Sequence, residues 1–336
     1  MSITIKDIAK KAEVSYATVS RALTNHPEIN EETRRKVLQI AHEMGYRPNA
    51  IAKGLVTKNS RTLGLIIPDI TNPFLSEVAQ GMGDYASQNG YQVFLCNCNW
   101  DVQREKEHLS KLLSSRVDGI VIAPVSDDIS HILRHKEEIP IVFAAYKPNA
   151  EKCSFVTTED VRNVSLAMEY LVKLGHKKIA YIGGPESNSA DIARFHGYRS
   201  ILEKNAIAME PHYVIHDQYT ISSGYRNTKQ ILENCDLPTA VLAGNDIVAL
   251  GVIQAIEEFG LSVPGDISVI GFDDISYASL NKIQLTTIHQ PKYKIGELSA
   301  KVLIDRIQNP EEKKDSYEIL ESKLIIRKTC RGISSY

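Results

Sequence analysis

From Arg61 onward, short and fully apolar runs alternate with amphipathic stretches, and this alternation constrains the fold more than any other feature. The runs are LGLII (63–67), VFL (93–95), GIVIA (119–123), IVFAA (141–145), IAYI (179–182), AVLA (240–243) and ISVIGF (267–272). Runs without polar alternation predict strands that are covered on both faces, as in parallel sheets. The stretches between them predict amphipathic helices. Together they predict repeated β-α units, which is a doubly wound α/β architecture.

The length of this α/β region predicts two subdomains, because the 276 residues from Arg61 onward are more than a single hydrophobic core usually supports. The chain is expected to cross between the subdomains near residues 158–162, 290–293 and 318–323. The expected boundaries are an N-subdomain of about residues 61–160 and 292–322, and a C-subdomain of about residues 161–291 and 323–336.

Polar and aromatic side chains follow several predicted strands. Ligands of doubly wound folds bind beyond the carboxyl ends of the strands. The candidates for a ligand site are therefore Asp69, Asn72, Phe74, Arg194, Asn245, Asp273 and Gln290. Carboxylates and amides bind vicinal hydroxyls, and an aromatic ring covers the apolar face of a sugar, so the set predicts a site for a small polyhydroxylated ligand. Each residue taken alone is as typical of a helix cap or a turn.

The first sixty residues form a separate region with three predicted helices. Thr4 and Asp7 have the spacing of a capping box, and Ser15 is placed to cap the second helix. About three or four residues separate the first two helices, which is helix-turn-helix spacing. Asn30 is placed to cap the third helix, and Gly45 to end it.

The second helix has an unusual polar side. Tyr16, Ala17, Ser20 and Arg21 fall on one side of it, opposite the apolar residues. Short side chains allow a helix to approach base edges closely, and a planar cation can reach guanine O6 and N7, so this surface predicts a recognition helix in a DNA major groove. The alternative is a three-helix module that binds protein.

The charge distribution is typical of a chain whose first sixty residues bind a polyanion such as nucleic acid. The whole chain carries −2, yet residues 1–60 hold ten Lys and Arg against six Asp and Glu, a net charge of +4 that leaves −6 on the other 276 residues.

A short segment after Pro48 predicts a hinge helix over residues 49–56. Eight residues are too few for an isolated helix, and Gly54 weakens it further, so the segment should be ordered only when a partner holds it. The alternative is a plain linker.

Sequence signatures of enzymes and metal sites are missing. We find no GxGxxG fingerprint, no phosphate-binding loop and no GxSxG elbow, so no catalytic residue and no cofactor is expected. His131 and His135 have a metal-binding spacing without a third ligand nearby, so no metal is expected. Five cysteines without framework spacing, no apolar run of about 18 residues and no signal pattern predict a cytoplasmic protein that does not contact a membrane.

Ordered motifs along nearly the whole chain resemble the LacI/GalR family of bacterial transcription regulators. TIKDIAKKAEVSYATVSRAL is similar to the DNA-reading head of the family, and GYRPNAIAKGL to its hinge. LGLIIPDITNPF, LGHKKIAYIGG, NDIVALGVIQAI, VPGDISVIGFDD and LTTIHQP resemble landmarks of its periplasmic-binding-protein-like core.

The resemblance implies a homodimer that grips a palindromic double-stranded operator, on the nucleoid in the cytoplasm. It implies that Tyr16, Ala17 and Arg21 contact bases, and that Thr4, Thr18, Ser20 and Asn25 position the DNA backbone. Leu55 would wedge into the minor groove. In the core, Arg194, Asn245, Asp273 and Gln290 match effector-contacting positions of the family, and Phe74 and Tyr219 would stack on the effector.

Several residues depart from particular branches of the family. Leu75 and the segment AAYKP argue against ribose as the effector, and the tail has no leucine heptads that would join dimers into tetramers. VFAAY resembles the catabolite-control branch, which answers to a phosphorylated carrier protein, whereas Arg194 favours a small sugar-like effector. A third hypothesis, from another class, is a sugar-binding or sugar-modifying protein whose N-terminal module binds protein.

Overall fold

The structure is a computed structural model, and it describes residues 3–23, 26–46, 59–233, 236–312 and 315–333. The chain divides into two units, Met1–Ser60 and Arg61–Tyr336, which are described separately below. The predicted hinge helix, with Leu55, lies outside the described residues, as does Asn25.

Three helices make up the N-terminal unit: α1 (Ile5–Ala12), α2 (Tyr16–Leu23) and α3 (Glu31–Glu43). The predicted capping box is present, since Thr4 accepts from the Asp7 N–H while the Asp7 carboxylate accepts from the Thr4 N–H. Asn30 caps α3 through the Thr33 N–H. The helices bury a small shared core of Ile8, Ala9, Ala12, Val19, Ala22, Val37 and Ala41.

Gly45 ends α3 in the left-handed conformation that a non-glycine residue adopts only with strain. The N–H groups of Gly45 and Tyr46 donate to the carbonyls of His42 and Ala41, which gives the end of the helix the Schellman pattern.

The larger unit contains two six-stranded sheets. The first has the order β11-β5-β4-β3-β1-β2, and all its pairs are parallel. Its strands are β1 (Thr62–Ile67), β2 (Gln92–Asn97), β3 (Gly119–Ile122), β4 (Ile141–Ala144), β5 (Ser154–Thr158) and β11 (Tyr317–Leu320). The helices that accompany it are α4 (Pro73–Gln88), α5 (Val102–Ser114), α6 (Ser130–Leu133) and α11 (Lys292–Gln308).

The second sheet has the order β12-β10-β9-β8-β6-β7. Its strands are β6 (Ile179–Gly183), β7 (Val214–His216), β8 (Ala240–Ala243), β9 (Ser268–Asp273), β10 (Thr286–His289) and β12 (Lys323–Ile325). Its helices are α7 (Asp160–Lys173), α8 (Ser189–Lys204), α9 (Ile221–Leu232) and α10 (Asp246–Glu258). The pairs are parallel except for β12, which runs antiparallel to β10 at the edge.

The chain passes from one sheet to the other three times: between β5 and α7, between β10 and α11, and between β11 and β12. The predicted fold class, a helix-turn-helix head and a core of two doubly wound parallel sheets, is thereby confirmed for the described residues.

One strand differs from its predicted environment. The run VFL was expected to be covered on both faces, but β2 lies at the edge of the first sheet, where Phe94 and Leu95 are 50% and 43% exposed. The prediction was wrong because an apolar run specifies a strand without specifying its place in the strand order. Among the described residues, no helix is long and apolar enough to span a bilayer.

Candidate functional site

A cavity of about 90 Å³ lies where strand ends of the two sheets meet. The side from the first sheet and its loops includes Pro68, Asn72, Phe74, Leu75, Trp100, Ala123, Pro124, Ala145, Thr157 and Thr158. The side from the second includes Asp160, Asn188, Ala190, Arg194, Tyr219, Asn245, Asp273 and Gln290. Seven of the eight predicted effector residues therefore meet at one cavity.

Arg194, on α8, is the cation of this cavity, and only 7% of it is exposed. Its Nη1 donates to the Gly244 carbonyl at 2.8 Å, and its Nη2 lies 3.7 Å from Asp160 and 3.9 Å from Asp273. The guanidinium also covers the ring of Phe272 at 3.9 Å. Its Nε has no hydrogen-bond partner among the described atoms. A buried donor without an acceptor in the protein is usually satisfied by water or by a bound molecule.

Two carboxylates oppose this one cation. Burial raises the pKa of Asp273 to about 6, although Arg194 and a hydrogen bond from Gln290 act in the opposite direction. Burial also raises the pKa of Asp160, again against the effect of Arg194. Asp273 has a φ of 117°, a strained value for a residue with a side chain. Strained backbone and a raised pKa in one residue are typical of a functional position.

Gln290 connects the two sheets at the floor of the cavity. Its Oε1 accepts from the Thr158 hydroxyl at 2.7 Å, and its Nε2 donates to Asp273 Oδ1 at 2.8 Å. Lys292 donates to the carbonyls of Asp273 and Asp274 at 3.1 and 2.7 Å. The amide therefore holds a carboxylate from one sheet at a fixed distance from the other sheet.

Two asparagines cap a helix and also line the cavity. The sequence alone did not decide between these two roles. Asn72 Oδ1 accepts from the Phe74 N–H at 2.9 Å, and Asn245 Oδ1 accepts from the Val248 N–H at 2.9 Å, and both residues line the cavity. Asp69, the eighth predicted effector residue, is not among the residues that line this cavity. Its carboxylate instead accepts from the Thr71 N–H and hydroxyl at 2.9 and 2.7 Å, which is a turn-forming role.

Aromatic side chains from both sheets line the cavity. The ring centroids of Trp100 and Tyr219 lie 6.1 Å apart, and Phe74 lies in the same lining. Sequence analysis missed Trp100, Asp160 and Asn188. Trp100 could have been found, because it is the single tryptophan of the chain and it closely follows a predicted strand.

The histidine pairs that raised the question of a metal have protein partners. His131 Nε2 lies 2.8 Å from the buried carboxylate of Glu105, and His135 Nδ1 lies 2.9 Å from Glu138. Within the described ranges, no group of three metal-ligating side chains is found.

The predicted recognition face is present on α2. Tyr16 is 56% exposed, and Ala17 and Arg21 are exposed beside it, while Val19 and Ala22 are buried on the opposite side. Thr18 donates its N–H to the Ser15 hydroxyl at 3.0 Å, so Ser15 caps the helix as expected. Ser20 is half-buried on the face, and Thr4 is exposed at the start of α1.

Glu28 is a neighbour of this face that sequence analysis missed. Its carboxylate lies 3.3 Å from Arg21 Nη1, and both side chains are more than half exposed. The pairing sets a local arrangement for Arg21 in the absence of DNA.

Comparison with known proteins identifies both units. The model described as "Bacterial regulatory proteins, lacI family" matches residues 4–49, and the model described as "Periplasmic binding protein-like domain" matches residues 168–330. The chain is 34% identical to catabolite control protein A of Priestia megaterium, over 98% of this chain and all of that protein. It is 33% identical to the HTH-type transcriptional repressor PurR of Pasteurella multocida, over 98% of this chain and 99% of that protein.

A solved structure matches over the same length. The crystal structure of the lac repressor dimer bound to operator and the anti-inducer ONPF superposes with a TM-score of 0.88 at 29% identity, over 98% of this chain and all of that one. The full-length identities, the matched head and the two-sheet core agree with one another. The chain belongs to the LacI family of bacterial regulatory proteins, which are DNA-binding transcriptional repressors with an effector-binding core.

Proposed function

We propose that this protein is a repressor of sugar-utilisation genes whose affinity for its operator is controlled by a small, uncharged, sugar-like effector in the core cavity. The observation that carries the proposal is the composition of the cavity, in which carboxylates, amides and one guanidinium lie opposite aromatic rings. This combination binds hydroxyl groups on one side and covers an apolar sugar face on the other. The protein acts without catalysing a reaction.

The charges of the cavity support an uncharged effector. Asp160 and Asp273 both line the cavity beside Arg194, so an anionic ligand such as a sugar phosphate would lie against two carboxyl groups. The unpaired Nε of Arg194 suits a hydroxyl or ring oxygen.

DNA recognition is proposed for the face of α2. Arg21 would contact a guanine, with Tyr16 and Ala17 against neighbouring bases, in each half of a palindromic operator bound by a homodimer. Thr4, Thr18, Ser20 and Asn25 would contact the DNA backbone. The dimer is supported by the similar lac repressor dimer. A regulator bound to its operator would lie on the nucleoid in the cytoplasm.

The hinge at residues 49–56 is proposed to become helical on the operator, with Leu55 inserted into the minor groove. Leu55→Ala should therefore weaken specific binding far more than non-specific binding and should reduce DNA bending. Equal weakening on both kinds of DNA would contradict this role for Leu55.

The test of the effector is a thermal-shift screen on the full-length protein with neutral sugars and sugar phosphates. A neutral sugar should raise the unfolding temperature of the wild type and leave that of Asp273→Ala unchanged, and it should then alter operator affinity. Stabilisation by sugar phosphates alone, or by none of these compounds, would reject the uncharged sugar-like effector.

A catabolite-control function is the second candidate, and the 34% identity to catabolite control protein A favours it. In that case a docked phosphorylated carrier protein, and no sugar, would raise operator affinity. Adding the phosphorylated carrier protein and its unphosphorylated form to operator titrations separates the two functions. A protein whose head binds protein instead of DNA would show no salt-dependent binding to any duplex.

A further inference from the structure

Asp191, on α8, lies directly behind one wall of the cavity. Its carboxylate is fully buried and has four donors around it. Oδ1 accepts from the Tyr181 hydroxyl at 2.7 Å, the Gly184 N–H at 2.6 Å and the Tyr219 hydroxyl at 3.2 Å. Oδ2 lies 2.7 Å from Nδ1 of His216. Since an ionised carboxylate can only accept, Nδ1 of His216 carries the proton of this bond.

Among these donors, Tyr219 is a residue that lines the cavity. Its ring lies so close to Gly184 that a Cβ atom there would be 2.2 Å from the ring Cζ, and a Cβ atom at Gly244 would be 3.2 Å from the ring. Trp100 lies across the cavity from it. With the glycines closing one side, the hydroxyl bond to Asp191 determines how far the ring reaches toward Trp100.

His216 completes this arrangement from β7, and 14% of its side chain is exposed. It lies edge-on to the ring of Phe195 at 5.0 Å and 5.6 Å from the ring of Tyr181. The charged groups that face it are Asp191 and Glu186. The hydrogen bond to Asp191 raises the pKa of His216, burial opposes this, and the charges of Asp191 and Glu186 add to it.

The geometry points to Asp191 and His216 as a positioning pair for the cavity wall, in which the proton on His216 sets how tightly Asp191 holds Tyr219. While His216 is an imidazolium, it balances the charge of Asp191. Once His216 is neutral, only uncharged donors remain around the carboxylate, and Oδ1 attracts the Tyr219 hydroxyl more strongly. The ring then moves toward Asp191 and away from Trp100. Any effect on effector binding rests on the function proposed above, whereas the movement of the ring needs no effector.

The test uses the emission of Trp100, the single tryptophan of the chain, in the full-length protein without ligand. As the pH rises from about 5.5 to about 8.5 at constant ionic strength, the emission maximum should shift to longer wavelength, because the withdrawn ring exposes the indole to water. The midpoint should lie above the ordinary histidine pKa of about 6.5.

Two variants should abolish this transition. His216→Gln removes the titrating group, and Tyr219→Phe removes the hydroxyl and keeps the ring. His212→Gln, an exposed histidine four residues earlier, is the matched control and should keep the transition. Far-UV circular dichroism and thermal midpoints establish that the variants are folded. If His216→Gln is unfolded, Tyr219→Phe alone decides the outcome.

The inference is overturned if the wild type has no transition above pH 6.5, or if the transition persists in a folded His216→Gln or Tyr219→Phe. A separate transition near pH 6 belongs to Asp273, whose pKa is about 6, and Asp273→Asn removes it. If the effector screen fails and the transition follows these variants, the positioning pair stands and the effector proposal falls.

Discussion

The charged residues of the α2 face and those of the cavity differ chiefly in their exposure to water. Arg21 is paired with Glu28 at 3.3 Å, and its side chain is 54% exposed. Arg194 is 7% exposed and lies between Asp160, Asp273 and the ring of Phe272. Water and salt screen the first pair, whereas a buried group that loses its partner keeps its desolvation penalty.

This difference in exposure predicts which solution condition should affect binding at the α2 face and which should affect binding in the cavity. Binding at the exposed face should respond to salt concentration, because its interactions with phosphates release counterions. Binding in the cavity should respond to pH and to the removal of single charges, because burial has already shifted the pKa values of its carboxylates.

The largest effect is expected for the buried site. Asp273→Ala should weaken effector binding by about 100-fold, roughly 3 kcal/mol, because it removes a buried charged hydrogen-bond acceptor. Operator affinity without effector should stay unchanged. Operator titrations with and without the effector measure both, and Asp236→Ala, which removes an exposed carboxylate, is the control. A normal response of Asp273→Ala would show that the site is assigned wrongly.

A smaller effect is expected at the exposed face. Arg21→Ala should weaken specific operator binding by about 1–3 kcal/mol per subunit and relax base choice at one position in each half-site. Titrations with base-substituted operators at several salt concentrations test both parts. If every sequence is weakened equally, Arg21 contacts phosphate only, and the guanine contact is rejected.

Removing a buried carboxylate from the cavity and an exposed one from the N-terminal unit should change the stability of the folded protein in opposite directions. The pKa of Asp273 is raised to about 6 in the folded protein, so its charge opposes folding progressively as the pH rises from about 4 to 6. Asp273→Asn should therefore stabilise the protein without effector above pH 6 by about 1–3 kcal/mol, and the gain should vanish below pH 4.

In the head, hydrogen bonds from Thr4 lower the pKa of Asp7, so its charge favours folding above the unfolded pKa of about 4. Asp7→Asn should lower the thermal midpoint at neutral pH, and this loss should fade as the pH falls. Thermal melts of both variants from acid to neutral pH measure the two signs. If both variants shift the midpoint in the same direction, burial does not distinguish the two carboxylates.

The smallest effect is expected for Glu28→Gln. Because its ion pair with Arg21 is exposed, removing the charge should change operator affinity by less than about 1 kcal/mol. It should also steepen the slope of log K against log salt concentration by up to about one, because Arg21 becomes available to phosphate and its binding then releases a further counterion. Fluorescence anisotropy over a salt series measures the slope. A loss larger than that of Arg21→Ala would mean that Glu28 itself contacts a base.

Features governed by neighbours in sequence could be predicted. The cap at Thr4, the cap at Asn30 and the left-handed Gly45 each follow from the residues within one turn. The rule that ligands bind at strand ends also placed Arg194 and Asp273 in one cavity.

Features governed by distant contacts could not be predicted. The exposure of β2 depends on its edge position, which follows from strand order. Asp69 follows a strand as Asp273 does, but Thr71 occupies its carboxylate, and nothing in the spacing separates the two cases. Asp160 joins the cavity because the chain changes sheets beside it, so its role appears only once both sheets are placed.

The position of β11 has a consequence for synthesis on the ribosome. β11 (Tyr317–Leu320) pairs with β5 in the first sheet, although 158 residues separate the end of β5 at Thr158 from the start of β11 at Tyr317. The first sheet therefore lacks its last strand until the chain has been made as far as Leu320. Domains usually complete folding in the order of their synthesis, but here the second sheet has most of its strands before the first is closed. Synthesis as far as β11 and β12, and not emergence of the N-terminal half, should time the completion of both sheets.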